Sequence, residues 1–201
     1  RRIRRIMKRL NLVSVYQKAA FKPHSRGKNE APIPNRLDRQ FDQERPLEAL
    51  VTDLTYVRVD RRWAYVCLTI DFFNREIIGL TVGWHNTAEL VKQAIQSIPY
   101  ALTKAKLFHS DRGKEFDNQL IDEMLEAFGI TRSLSQAGCP YDNAVAESTY
   151  RSFKLEFINQ ETFQSLEELA LKTKGYVHWW NYHRIHGSLN YQTPMTKRII
   201  A

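Results

Sequence analysis

Three acidic residues occupy places where a carboxylate is costly or chemically useful. Asp53 lies in the middle of VTDLTYV, a run of β-branched and aromatic residues. A charge buried at the centre of a strand is expensive unless it is paired or bound to a metal. Asp111 follows the short apolar run AKLFHS, at the carboxyl end of a strand, where α/β sheets commonly place their sites. Glu147 falls in the first turns of the helix expected after YDNAVAES. Each has a plain structural explanation. Asp53 could be satisfied by backbone amides or an arginine, Asp111 could belong to an Asp-x-Gly turn, and Glu147 could complement a helix dipole. Together they point to one chemistry. Three carboxylates in one cleft raise one another's pKa values, and hard divalent cations relieve that repulsion. An all-oxygen donor set favours Mg²⁺ or Mn²⁺ over Zn²⁺. It suits phosphoryl transfer by two ions about 3.5–4 Å apart, one at the attacking and one at the leaving oxygen.

These residues need a scaffold that brings them together. EALVTDLTYVRV (48–59), RWAYVCLTID (62–71) and REIIGLTVGW (75–84) read as three strands of an antiparallel meander. TAELVKQAIQSI (87–98) is a helix ended by Pro99, AKLFHS (105–110) a fourth strand, DNQLIDEMLEAF (117–128) a helix ended by Gly129, and ITRSL (130–134) a fifth strand. A further helix starts at Asp142 or Asn143, both good N-caps, and runs to about Gln160; another spans roughly Ser165–Trp180. This order predicts an α/β fold with one mixed five-stranded sheet flanked by helices. It resembles the element order of the ribonuclease H-like fold. With the fourth strand beside the first, Asp111 falls next to Asp53, and the helix bearing Glu147 packs over the same edge. Ala146, Tyr150, Phe153 and Phe157 form that helix's apolar stripe.

Thirty-five residues separate Asp111 from Glu147. With TDLTYV, HSDRG (109–113), YDNAVAES (141–148) and WWNYHRIHGSLNYQTP (179–194), the chain resembles the integrase-core, D,D(35)E transposases of bacterial insertion sequences, a group related to retroviral integrases. The resemblance covers about residues 46–198. It implies that Asp53, Asp111 and Glu147 are catalytic and bind two Mg²⁺ or Mn²⁺ ions. It implies cleavage at element ends, strand transfer by the resulting 3′-OH, and a copy-out, paste-in route through a circular intermediate. The implied partners are the terminal inverted repeats and target DNA, with a homo-multimer assembled on them at the bacterial nucleoid. The family often carries a basic residue seven positions after the glutamate, here Lys154. Arg151, at four positions, shares that face. Both are candidate phosphate contacts, or members of a solvated salt-bridge face.

The net charge of +8 is unevenly placed: residues 1–45 carry 13 Lys+Arg and 4 Asp+Glu. Ile3, Ile6, Met7 and Leu10 fall at helical spacing among Arg4, Arg5, Lys8 and Arg9, which are candidate DNA contacts. Residues 1–21 read as the basic remnant of a helix-turn-helix region, so the chain reads as N-terminally truncated. Residues 22–46, rich in proline and charge, read as a linker, and residues 47–201 as the catalytic core with a C-terminal helical extension. His109 could steer Asp111, contact DNA or be structural. Arg112 is a further DNA candidate. Arg184 and His186 could cap the last helix or reach DNA. Asp60 and Asp71 fit turns, Glu115 the surface and Asp142 a helix cap. No stretch approaches the ~20 apolar residues of a membrane span. Two cysteines, Cys67 and Cys139, make neither a disulfide framework nor a metal-ligand pair, which suits a cytoplasmic, reducing compartment. Two other readings share the fold: a truncated or domesticated remnant that only binds DNA, and an RNase H-type nuclease.

Overall fold

The computed structural model describes residues 2–12 and 33–201. Arg2–Arg9 form a helix, α1, with no buried residue, so its arginines and lysine all face outward. The remainder of the basic arm, and the first part of the segment read as a linker, lie outside the described residues.

The β-branched runs form β1 (Ala49–Val59), β2 (Arg62–Asp71) and β3 (Ile77–Gly83). Two more strands follow, β4 (Leu107–Ser110) and β5 (Thr131–Leu134). The sheet order is β3-β2-β1-β4-β5. The first three strands pair antiparallel, and β4 and β5 add in parallel. The parallel step needs a crossover, which α2 (Ala88–Gln96) supplies, and α3 (Gln119–Ala127) then links β4 to β5. Gly79 lets α2 approach the sheet: a Cβ there would lie 2.5 Å from the Ala94 carbonyl.

Strand alternation gives each face its own core. On one face Leu50, Cys67, Ile78 and Phe108 pack with Leu90, Val91 and Ile95 of α2 and with Ile121 and Leu125 of α3. On the other, Val51, Val57, Val66 and Leu68 pack under α4 (Ala144–Glu156) and α5 (Leu166–Tyr182). Ala146, Tyr150 and Phe153 of α4, with Phe157 just after it, meet Tyr176 and Trp180 of α5 there.

The structure departs from the sequence reading in several places. The helix expected to run to about Gln160 ends at Glu156, because Phe157 turns inward to stack on Tyr176. Asp142 is not its cap: the carboxylate accepts from the Gln136 N–H (2.9 Å) and pairs with Arg39 (2.8 Å). Residues 33–46, read as part of a linker, lie against the sheet domain. Leu37 is buried in the core, Phe41 stacks on Phe72, and the Arg36 and Leu37 amides donate to the Ser133 hydroxyl at 2.9 and 3.1 Å. Past α5 lies a short helix the sequence reading omitted, α6 (Pro194–Ile199), capped by the Thr193 hydroxyl. Its Arg198 reaches Asp71 (2.7 Å) and Glu76 (2.5 Å). Asp71 opens the turn after β2, as the sequence suggests, accepting from the Phe73 amide, and is also a fully buried hub that accepts from the Leu47 amide.

Candidate active site

The β1–β4 register brings the first two carboxylates to the same level. Ala49, Leu50 and Val51 pair with Leu107, Phe108 and His109. Asp111 is the first residue after β4, and Asp53 stands two residues beyond Val51 on β1, on the same side of the sheet as Val51. That is the side covered by α4.

Tyr150 fixes α4 over this point. Its hydroxyl accepts from the Leu68 amide (2.7 Å) and donates to the Asp53 carbonyl. Leu68 is the β2 residue directly opposite Asp53. Glu147 lies three positions earlier on α4, about one helical turn, with its side chain exposed. Tyr150 was legible only as part of the apolar stripe. A tyrosine in a buried stripe needs a partner for its hydroxyl, which is the signal that could have marked it.

The electrostatics tie the acids together. Burial first, and then the charge of Asp111, push the Asp53 carboxyl from its ordinary 3.8 up to about 8, and Glu115 and Glu147 add to the rise. The Leu54 amide, donating to Asp53 Oδ1 (2.7 Å), opposes it. Asp111 accepts from the Gly113 amide (2.9 Å), which closes the loop DRGKE. The Glu115 carboxylate folds over Gly113, where an added Cβ would sit 2.7 Å from it. Glu115, read from the sequence as a surface residue, thus joins the acids acting on Asp53.

This donor set fits a hard divalent cation by its chemistry: all oxygen and mutually repelling, with Asp53 and Asp111 half-buried. Among the described residues no three acidic, histidine or cysteine side chains already stand close enough to hold an ion. In metal-free protein the folded state holds the Asp53 proton more tightly than the unfolded chain does. Stability from this group is full below about pH 4 and is lost as pH rises through about 8. Asp53→Asn should flatten the melting temperature between those limits, as measured by thermal unfolding in chelator.

Lys154 and Arg151 lie beyond Glu147 on α4, Arg151 exposed and Lys154 half-buried. Burial lowers the Lys154 pKa, and Asp53 is the charge that counters it. Its ammonium stands 4.5 Å from the Tyr56 ring centroid.

Four other candidates turn inward. His109 is fully buried, with its ring nitrogens on the Ser133 and Ser135 hydroxyls at 2.9 and 3.0 Å, and burial pushes its pKa down to about 4. It joins β4 to β5 as a neutral structural group. Arg112 donates to the carbonyls of Ser135 (2.7 Å) and Ile33 (3.2 Å) and so holds the loop after β4. Arg184 grips Glu156 with two hydrogen bonds (2.9 and 2.7 Å) and lies over Trp180. His186 is buried edge-on against Trp180, and its pKa falls to about 4, chiefly from burial. Arg184→Ala should therefore cost about 2 kcal/mol by removing the charge paired with Glu156, which keeps the Tyr176 hydroxyl bond, read as a melting temperature lower by about 4–8 °C. DNA affinity should stay unchanged.

Two models of the integrase core domain match the chain, over residues 43–140 and 128–194. The chain belongs to the integrase core family. A curated relative, the transposase for insertion sequence element IS904 of Lactococcus lactis subsp. lactis (strain IL1403), is 27% identical over 197 residues, covering 95% of this chain and 78% of the relative. Transposase InsF for insertion sequence IS3A of Escherichia coli (strain K12) is 30% identical over 177 residues. That match covers 85% of this chain, and the chain spans 62% of the InsF length. Among solved structures, the HTLV-2 integrase catalytic core domain in complex with magnesium superposes with a TM-score of 0.55 at 15% identity, covering 76% of this chain and 97% of that one. A chain of the simian T-cell lymphotropic virus intasome in complex with PP2A regulatory subunit B56 gamma gives a TM-score of 0.61 at 14% identity, covering 85% of this chain and 60% of that one. These superpositions show that this integrase core has the ribonuclease H-like fold of the retroviral enzymes.

Proposed function

We propose that this integrase core is the catalytic part of an insertion-sequence transposase, cutting phosphodiester bonds at element ends and joining the resulting 3′-OH to a second DNA. The observation that carries the proposal is Asp53, whose backbone carbonyl Tyr150 ties under α4 and whose carboxyl has its proton affinity raised first by burial and then by the neighbouring Asp111. The names of the IS904 and InsF relatives support the same reading.

Asp53, Asp111 and Glu147 would hold divalent ions, Mg²⁺ or Mn²⁺; the magnesium in the HTLV-2 integrase structure supports that choice. Bound there, a pair of ions would supply activation of the attacking oxygen and stabilisation of the leaving one. The protein's own part is positioning and charge. β1 would present Asp53, and the loop after β4 would present Asp111, to the same ions. α4 brings the third on an exposed turn able to close on the site. Arg151 and Lys154, on the following turns, offer positive charge to the phosphates flanking the scissile bond. The exposed arginines and lysine of α1 (Arg4, Arg5, Lys8, Arg9) would add contacts to the duplex backbone with little sequence content. No side chain here needs to act as a covalent nucleophile, because water and then the 3′-OH take that role. Action as a homo-multimer on DNA, in the cytoplasm at the nucleoid, follows from the same reading. Among the described residues no helix is long and apolar enough to cross a membrane.

The test is incubation of the chain with labelled DNA carrying the element's ends and a target duplex. Cleavage and strand transfer that appear with Mg²⁺ or Mn²⁺ and vanish with chelator support the reading. Binding without either product in any divalent ion would favour a DNA-binding remnant. Cutting confined to the RNA strand of hybrids would favour a ribonuclease H.

A further inference from the structure

Beyond the acids, β1 and β2 carry an aromatic and cationic surface that the catalytic reading leaves unused. Strand alternation puts Tyr56 and Arg58 of β1 on the same face as Trp63 and Tyr65 of β2, with Tyr56 opposite Tyr65 and Arg58 opposite Trp63. On this face the helices α2 and α3 cover the sheet around Leu50, Cys67 and Phe108. Tyr56 and Trp63 project beyond that cover and are 47% and 50% exposed, although both are large rings that burial would favour. They do not lie loose. Their centroids are 5.2 Å apart at 89°, an edge-to-face pair that holds both rings in place.

Cations frame the pair. The Arg58 guanidinium lies 5.3 Å from the Trp63 centroid. Lys154 comes from α4 on the opposite side of the sheet and stands 4.5 Å from the Tyr56 centroid. It passes the edge of β1, whose pairing with β4 ends at Val51. The turn between the strands adds Arg61 beside Asp60, while Arg62 faces the other side of the sheet, over Trp84. The surface is thus aromatic at its centre and positive at its rim. It starts three residues along β1 from Asp53, roughly 10 Å.

Half-exposed rings interleaved with cations match the chemistry of a single nucleic-acid strand, with bases on the rings and phosphates on the cations. A protein partner would favour a continuous apolar patch instead. We infer that Tyr56 and Trp63, flanked by Arg58 and Lys154, form a stacking platform for unpaired nucleotides of the DNA strand next to the scissile phosphate. The inference rests on the proposed function for which strand is bound, but not for the binding itself. The platform would hold a frayed DNA end away from its complement and so present the phosphate to the acids. Stacking is tolerant of sequence, because every base has a π-face.

The whole chain is tested in chelator, so that no reaction occurs, by fluorescence anisotropy with a labelled single strand of about 12 nucleotides. A blunt duplex of the same sequence serves as the comparison. Trp63→Ala and Tyr56→Ala are each expected to weaken single-strand binding by about tenfold or more. Trp63→Phe and Tyr56→Phe, which keep a ring, should stay within about threefold, and duplex binding should change less than single-strand binding. Thermal unfolding identifies any variant that fails to fold, in which case the ring-keeping variants are compared with Arg58→Gln instead. Alanine variants that melt normally and bind the single strand as tightly as the parent would overturn the inference. So would loss of self-association in sedimentation with single-strand binding intact, which would make the patch a protein interface. Asp111→Asn should bind the single strand normally. If that variant kept full cleavage activity the catalytic reading would fail, while the binding result would stand.

Discussion

Asp111→Asn is expected to lower metal-dependent cleavage by at least about 1000-fold, because groups that act as one unit lose almost everything when any one is removed. Asp53→Asn and Glu147→Gln should do the same, and no pair of substitutions should be much worse than one. DNA binding should persist in all three, since the proposed phosphate contacts on α1 and α4 are untouched. The folded state should also persist. Asp111 is half-buried and Glu147 exposed, so neither change opens a cavity. For Asp53, replacing a carboxyl whose ionisation is opposed by burial and by Asp111 removes a liability of the metal-free protein. Initial rates of plasmid nicking, with melting curves on the same samples, read both effects. A variant that lost activity together with its melting transition would say nothing about chemistry. One that lost activity alone would assign the residue to the reaction.

Tyr150→Phe is the second large effect. The ring would stay packed against Phe153, 6.3 Å away edge-to-face. Only the hydroxyl between the Leu68 amide and the Asp53 carbonyl would be lost. That hydroxyl holds α4, and with it Glu147, over β1. Without it the helix should sit less firmly above Asp53, and a metal should find its third ligand less often. Removing a group that orients metal ligands typically costs 10–100-fold, and the expected fall in cleavage rate is about that size. The decisive reading is a rightward shift in the Mn²⁺ concentration giving half-maximal rate. A tyrosine that served only as packing would lower stability and leave that concentration where it was.

The sheet and its helices were legible because their signals are local and periodic. The alternation through VTDLTYVRV and the stripe of Ala146, Tyr150, Phe153 and Phe157 each match one face of one element. The places where the reading failed depend on contacts between distant segments. Residues 33–46 look like a linker because their composition is proline and charge, yet Leu37 and the backbone around it are held by Ser133, nearly a hundred positions away. Asp71 is legible as a turn residue, but the ion pair that Arg198 brings to it from α6 is not. Arg184 and His186 sit in a motif that the resemblance ties to function, and the structure uses them to lock the end of α5 to α4. Glu115 looked like a surface acid because nothing local shows that the loop after Asp111 turns it back towards β1. The acids at 53, 111 and 147 were legible because a carboxylate in a strand centre and another at a strand end break the apolar pattern. How they share a field was not, since that depends on the β1–β4 register and on one tyrosine hydroxyl.

The central claim is that Asp53, Asp111 and Glu147 jointly hold divalent metal. Anomalous diffraction from crystals of the chain grown with Mn²⁺ tests it most directly. The account predicts anomalous density within coordination distance of oxygens from all three residues, with Glu147 drawn in from its exposed position. Manganese that binds elsewhere, or that binds here without any one of the three, would contradict it.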